Sequence, residues 1–87
     1  KDFYLKGSIK TESSEGYGGL QIDVFRRNGS RLRNQMKGDG PEGSTSWSDY
    51  LIKVAVPDDA VRVCFGAGIF AGALGDAWFD SLEIRTN

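Results

Sequence analysis

The fold class is decided by residues 47–65, which read WSDYLIKVAVPDDAVRVCF. Apolar side chains occupy every second position in the first part of this stretch: Tyr50, Ile52, Val54 and Val56. A period of two is typical of a β-strand with one buried face, because successive side chains point to opposite sides of a sheet. A Pro-Asp-Asp turn at 57–59 ends this strand, since proline presets the backbone for a turn. The alternation then resumes in Val61, Val63 and Phe65.

The same pattern extends outward and predicts about six strands in all. Alternating residues predict strands at four further places: 3–11, 20–25, 31–36 and 77–85. Asn28-Gly29 predicts a tight hairpin between the second and third strands, because both residues tolerate positive φ. Polar or glycine-rich residues predict a turn at 12–16 and loops at 37–46 and 66–76. These connections are too short for crossover helices, so we expect an all-β fold, an antiparallel β-sandwich of two sheets packed face to face.

Composition restricts the function classes. The 87 residues suffice for a single small domain over 1–87, or for a fragment of one. A single Cys excludes an internal disulfide framework, and the absence of His removes the usual general base, so we expect no enzyme. The net charge of −1 argues against nucleic acid as a partner, and no apolar run of about 18 residues predicts a membrane span. Because the chain begins at Lys1, we interpret it as a processed product or part of a longer protein.

Four segments together resemble a known family. They are FYLKGSIKT at 3–11, GGLQIDVFRRNG at 18–29, TSWSDYLIKVAVPDDAVRV at 45–63 and GDAWFDSLEI at 75–84. In order and spacing they are similar to the C-terminal two-thirds of jelly-roll carbohydrate-binding modules of the type grouped in families four and nine, which are galactose-binding-like β-sandwiches. The resemblance implies a noncatalytic module that binds a polysaccharide or glycan and works outside the cell, secreted or at the cell surface.

The resemblance also implies a gap, because the first two strands of the family have no counterpart here. We therefore expect a jelly roll that is incomplete, or that is completed in trans by a partner or a second copy. Unpaired N–H and C=O groups at a sheet edge promote pairing with another chain, and strand addition is an established mode of recognition. The alternative function is a structural or self-assembly module, in which the sandwich is a building block of an extracellular surface or fibre protein.

Candidate sugar-binding residues come from the strand positions that alternate with the core. Sugar rings pack their apolar C–H faces on aromatic rings, while their hydroxyl groups need hydrogen-bond partners. Such side chains occur on the second and fourth strands, in a glycine-flanked turn, and on the first strand at Lys6, Ser8 and Lys10. If these strands are neighbours, we predict one carbohydrate site made of Tyr17, Gln21, Asp23, Phe25 and Lys53. The alternative is an ordinary solvated sheet face.

The two Trp residues are predicted to anchor the core, since Trp is highly buried on average. Trp78 shares its side of the last strand with Leu82 and Ile84 under strict alternation, and so does Asp80, which is therefore expected to point inward. By the resemblance, Asp80 is a candidate ligand of a structural calcium ion, which needs several oxygen ligands. The alternative is a carboxylate that accepts backbone hydrogen bonds near a loop.

Three further features leave alternatives open. Arginines bracket the predicted hairpin tip: Arg26, Arg27, Arg31 and Arg33. They form either a basic patch for an acidic glycan or partner, or charges that protect a sheet edge. Apolar residues of the 66–76 loop form either a contact patch or a cap on the sandwich: Ile69, Phe70 and Leu74. Cys64 is expected to be an inert, partly buried thiol.

Overall fold

The computed structural model describes residues 1–15, 18–36, 41–69 and 74–86. They form six strands: β1 (Asp2–Glu15), β2 (Gly18–Arg26), β3 (Arg31–Gln35), β4 (Gly43–Ala55), β5 (Ala60–Ile69) and β6 (Leu74–Thr86). Every pairing between these strands is antiparallel, and this part of the chain contains no helix. The prediction of an all-β antiparallel sandwich of about six strands is confirmed.

The strands form two three-stranded sheets. The β1 sheet has the order β4-β1-β6, and the β2 sheet has the order β3-β2-β5. Each central strand is covered by neighbours on both sides, so its inward residues supply most of the core between the sheets. The buried apolar core residues are Leu5, Ile9, Leu20, Ile22, Val24 and Met36. A jelly roll has eight strands in two sheets, so each sheet here has three strands where half of a jelly roll has four.

The two sides of the sandwich cover their core-facing side chains to different extents. On the β3/β4 side, the side-chain amide of Asn34 donates a hydrogen bond to the carbonyl oxygen of Lys53 and links the two sheets. Ile52 and Val54 of β4 pack against the core there. On the β5/β6 side, Leu82 and Ile84 are more than half exposed. Among the described residues, the most exposed core-facing apolar side chains therefore lie on the β5/β6 side.

Several predicted loops are in fact strand. Residues 12–15 continue β1, residues 43–46 begin β4, and residues 66–69 and 74–76 belong to β5 and β6. The loop prediction failed at 66–69 because Gly66, Ala67, Gly68 and Ile69 pair with β2, a long-range contact that glycine content does not reveal. Leu74 is exposed, whereas Phe70 lies outside the described residues.

A β-bulge in β6 reverses the side on which its first half points. Lys6 stands opposite Glu83, but Ser8 stands opposite Asp80, so β6 has one residue more than β1 between these pairs. Ser81, at φ 54°, lies in this bulge. Because one extra residue shifts the alternation, Trp78 and Asp80 lie on the face of Glu83 and not on that of Ile84. The predictions that Trp78 is a core residue and that Asp80 points inward were wrong.

Candidate functional site

The outer face of the β1 sheet, called here the β1 face, presents the densest set of exposed aromatic and polar side chains. Its central strand contributes Tyr4, Lys6, Ser8 and Lys10, and its edge strands contribute Trp47, Asp49, Leu51 and Lys53 on β4 and Trp78, Asp80, Glu83 and Arg85 on β6. Strand alternation places these residues on the side away from the core. The face therefore combines large apolar surfaces with hydrogen-bonding groups on a rigid three-stranded platform.

Trp47 and Trp78 lie at one end of the β1 face, on either side of Lys10. Trp78 stands directly opposite Lys10, and a register shift in β4 places Ser46 and Trp47 opposite the same residue from the other side. The two Trp residues are 49% and 43% exposed. Two strand spacings separate their backbones, which is about 10 Å. The prediction that Trp47 anchors the core was wrong too, because its strand position faces solvent.

A polar cluster lies next to the Trp residues. The Ser8 hydroxyl donates a hydrogen bond of 2.6 Å to Oδ1 of Asp49. On the other side of Ser8 stands Asp80, whose Oδ1 accepts a 2.8 Å hydrogen bond from the backbone N–H of Ser81 in the bulge. This bond fixes the Asp80 carboxylate beside Ser8. Hydroxyl and carboxylate oxygens of this kind are suitable partners for the hydroxyl groups of a ligand.

A shallow depression of about 400 Å³ occupies the opposite end of the β1 face. It is lined by Tyr4, Lys6, Asp49, Tyr50, Leu51 and Arg85. Nε of Arg85 donates to Oε1 of Glu83 at 2.8 Å, and this hydrogen bond, with the charge of Arg85, lowers the pKa of Glu83. From one end of β1 to the other, the β1 face thus presents aromatic rings, then a polar centre, then a shallow depression.

The predicted sugar-binding residues do not form one site. Gln21, Asp23 and Phe25 share the outer face of the β2 sheet, called here the β2 face. Lys53 lies on the β1 face, on the other side of the molecule, because β4 pairs with β1 and not with β2. Tyr17 lies outside the described residues. The condition that these strands be neighbours is therefore not met for Lys53.

On the β2 face, Asp23 is held by other side chains of the same sheet. Nε of Arg33 donates to its Oδ1 at 2.7 Å, and Nε2 of Gln21 donates to its Oδ2 at 2.7 Å. The Arg33 hydrogen bond is the main reason that the pKa of the buried Asp23 carboxyl lies below its usual value. Asp23 is buried and both of its carboxylate oxygens already accept hydrogen bonds, so it is poorly placed to meet a ligand.

The remaining residues of the β2 face follow the same pattern. The guanidinium carbon of Arg62 lies 4.2 Å from the ring centre of Phe25 and covers that ring. At the hairpin end, Arg26 forms a 3.0 Å ion pair with Asp59. Cys64 is exposed on this face, so the prediction of a partly buried thiol was wrong. Most charged and aromatic groups of the β2 face are therefore engaged within the fold.

The described residues do not form a cluster of metal-ligating side chains around Asp80. Within the described ranges, no group of three or more His, Cys, Asp and Glu side chains is placed to hold a metal ion. Asp80 is exposed, and its Oδ1 is hydrogen-bonded to its own backbone neighbour. A structural calcium ion bound by Asp80 stays a prediction of the resemblance.

Comparison with protein-family models, with curated proteins and with solved structures finds no match to this chain. In the part of the chain that the structure describes, no helix is long and apolar enough to cross a membrane. The function must therefore be inferred from the geometry of the chain itself.

Sequence reasoning placed Lys10 on an exposed sheet face but missed the two Trp residues beside it. Alternation from Tyr50 already puts Trp47 on the solvent side of β4. The exposed side of Trp78 depends on the position of the bulge, because the extra residue changes which side of β6 the earlier residues face. No residue type at 80–82 marks that position unambiguously, since Ser is not a residue that typically adopts positive φ. The pairing of β4 with β1, which brings Trp47 beside Lys10, is a contact between distant parts of the chain.

Proposed function

We propose that this protein is a noncatalytic carbohydrate-binding module and that it binds a polysaccharide on the β1 face. One observation carries the proposal: Trp47 and Trp78 are both nearly half exposed on one sheet face, on either side of Lys10. Exposed Trp side chains cost solvation free energy, so two on one face mark an interaction surface. Indole rings are flat and apolar, and suit the C–H faces of sugar rings.

The polar groups around the rings support the same ligand class. Lys10 supplies hydrogen-bond donors between the two Trp residues, and Ser8, Asp49 and Asp80 supply oxygen atoms one step along β1. From Lys10 to Tyr4 the face extends for about 20 Å along the strand. An open platform of this length suits a chain of sugars better than a single small molecule, which usually needs a concave pocket.

The environment of the carboxylates favours binding without catalysis. A glycosidase needs two carboxyl groups flanking the bond, one of them with a raised pKa in an apolar pocket. Asp49 and Asp80 flank Ser8, yet both are exposed on an open sheet surface. The sequence has no His to serve as an alternative general base. A location outside the cell, secreted or at the cell surface, belongs to the same proposal.

The proposal is tested by affinity electrophoresis against gels that contain single polysaccharides, both neutral and uronic-acid-rich. We expect retardation by at least one polysaccharide, and loss of that retardation for Trp78→Ala and Trp47→Ala. Gln21→Ala is the matched control, since it removes a polar side chain from the β2 face. Failure to bind any polysaccharide would contradict the proposal, as would retardation that Gln21→Ala abolishes and the Trp variants keep.

A further inference from the structure

On the β5/β6 side of the sandwich, core-facing apolar side chains of β6 are left largely uncovered. Leu82 and Ile84 of β6 are 53% and 54% exposed. Ile84 stands opposite the buried Leu5, so it points toward the core and not toward solvent on the outer face. An apolar groove of about 380 Å³ runs between the sheets here, lined by Leu5, Phe65, Gly66, Ala67, Leu82 and Ile84.

The same side carries two unpaired strand edges. β5 and β6 each stand last in their sheets, so one edge of each has no partner strand in the described structure. These strands are 10 and 13 residues long, which is long for edge strands. Neither contains Pro or Lys, and the four charged residues of β6, at 76, 80, 83 and 85, therefore limit which pairing registers are possible. β6 is interrupted by the Ser81 bulge and by a second register shift near its start, at Gly75, and these leave five residues between them and five after Ser81.

We propose that the β5/β6 side is an interface between two copies of this chain, related by a twofold axis perpendicular to the sheets. Such an axis places β6 antiparallel to the β6 of the second copy and β5 antiparallel to its β5. Both sheets then extend to six strands at once, and the two apolar grooves cover each other. A twofold interface must be self-complementary, because the same surface is used on both copies.

Charge and parity select one register for this pairing. With the axis between residues 80 and 81, Arg85 lies opposite Asp76 of the partner subunit, so that an opposite-charge pair forms twice in the dimer. The same register places Ile84 opposite Ala77 of the partner subunit. Ile84 and Ala77 both face the core, because they stand opposite Leu5 and Thr11 of β1. Outward residues therefore meet outward residues, as a pleated sheet requires.

The first test is solution mass by light scattering after size exclusion, from micromolar to millimolar concentration. We expect a dimer for the unmodified chain and a monomer for Ile84→Lys. Leu51→Lys is the matched control, because Leu51 is as exposed at 59% but lies on the β1 face, and it should remain dimeric. A monomer at all concentrations would overturn the proposal, as would open-ended polymers, or a folded Ile84→Lys protein that still dimerises.

A charge exchange keeps the test decisive if Ile84→Lys does not fold. Asp76 and Arg85 are nine residues apart on one strand, about 30 Å, so they cannot pair within one copy. We expect Arg85→Asp to raise the dimer dissociation constant about tenfold, since two pairs are lost. Adding Asp76→Arg to Arg85→Asp should restore dimerisation. A double variant as weak as the single one would show that this register is wrong and would overturn the proposal.

Discussion

Nζ of Lys10 lies 5.5 Å from the ring centre of Trp78, its direct neighbour on β6. A cation at this distance from an exposed indole ring contributes about 0.5–1 kcal/mol. The contact keeps a cationic donor beside the Trp78 ring, which is still 43% exposed. The β1 face therefore offers an indole ring and a hydrogen-bond donor side by side.

Lys10→Met should weaken polysaccharide binding about fivefold and leave the fold unchanged. Methionine keeps an unbranched apolar stem but removes the cation and its hydrogen-bond donors, and one such hydrogen bond is worth about 1 kcal/mol. Isothermal titration calorimetry measures the change. Arg62→Met is the control, because Arg62 is a cation on the β2 face, opposite Phe25. An equal loss for both variants would show that binding is not centred on the Trp residues.

Ser81→Gly should stabilise the protein by about 1 kcal/mol, whereas Ser81→Val should destabilise it by at least that much. Ser81 has φ 54°, a conformation that costs residues with a Cβ about 1–2 kcal/mol and that β-branched residues adopt least readily. Urea unfolding measures both free energies. If Ser81→Val unfolded with the same free energy as the original chain, the bulge would not be where the register places it.

Gly75→Ala should destabilise the protein by about 2–3 kcal/mol, the scale of a strained backbone conformation. Gly75 has φ 104°, and a Cβ there would clash with the backbone oxygen of Ser13. Gly66→Ala is the matched control in β5, because a Cβ there meets nothing within 4 Å. That variant should be neutral or slightly stabilising, since Ala loses less backbone entropy on folding than Gly. Similar effects of both substitutions in thermal unfolding would contradict this description of the start of β6.

Arg33→Met should destabilise the protein more at neutral pH than in acid. Arg33 lowers the folded-state pKa of Asp23, so its contribution is fully present above the unfolded value of about 3.9. This contribution is lost as pH falls through the lower folded-state pKa of Asp23, because the protonated carboxyl group has no charge to pair with Arg33. The difference in unfolding free energy between the original chain and Arg33→Met should therefore shrink below about pH 4.

Arg62→Met is the control for this pH dependence. Arg62 stacks on Phe25, an aromatic ring that does not titrate. Its contribution to the unfolding free energy should stay nearly constant across the same pH range. If the difference in unfolding free energy for Arg33→Met did not depend on pH, the ion pair between Arg33 and Asp23 would not be what stabilises the β2 face.

The alternating sequence pattern predicts the strands and which side of each strand is buried. It fails where a single extra residue, or a contact between distant parts of the chain, determines the structure. Alternation correctly placed Gln21 and Phe25 on one side of β2 and Leu20 and Ile22 on the other. The same rule failed at Trp78, because the bulge at Ser81 adds one residue. The extra residue reverses the side of the sheet on which the earlier residues of β6 point.

The sequence pattern also does not reveal which of the two sheets a strand belongs to. Lys53 and Gln21 both alternate with core residues, so either pairing of their strands agrees with the local pattern. Only the long-range register, with Lys53 opposite Tyr4 and Gln21 opposite Gln35, separates them onto opposite faces of the sandwich. Hydrophobic period fixes which side of a strand is buried but does not fix which strands are neighbours.

The most direct test of the central claim is a nuclear magnetic resonance titration of the ¹⁵N-labelled protein with an oligosaccharide from whichever polysaccharide retards it. We predict that the indole N–H signals of Trp47 and Trp78 and the amide signals of Ser8 and Lys10 shift together, while those of Gln21, Asp23 and Phe25 do not. Shifts confined to Gln21, Asp23 and Phe25, with unmoved indole signals, would contradict the assignment of the binding site to the β1 face.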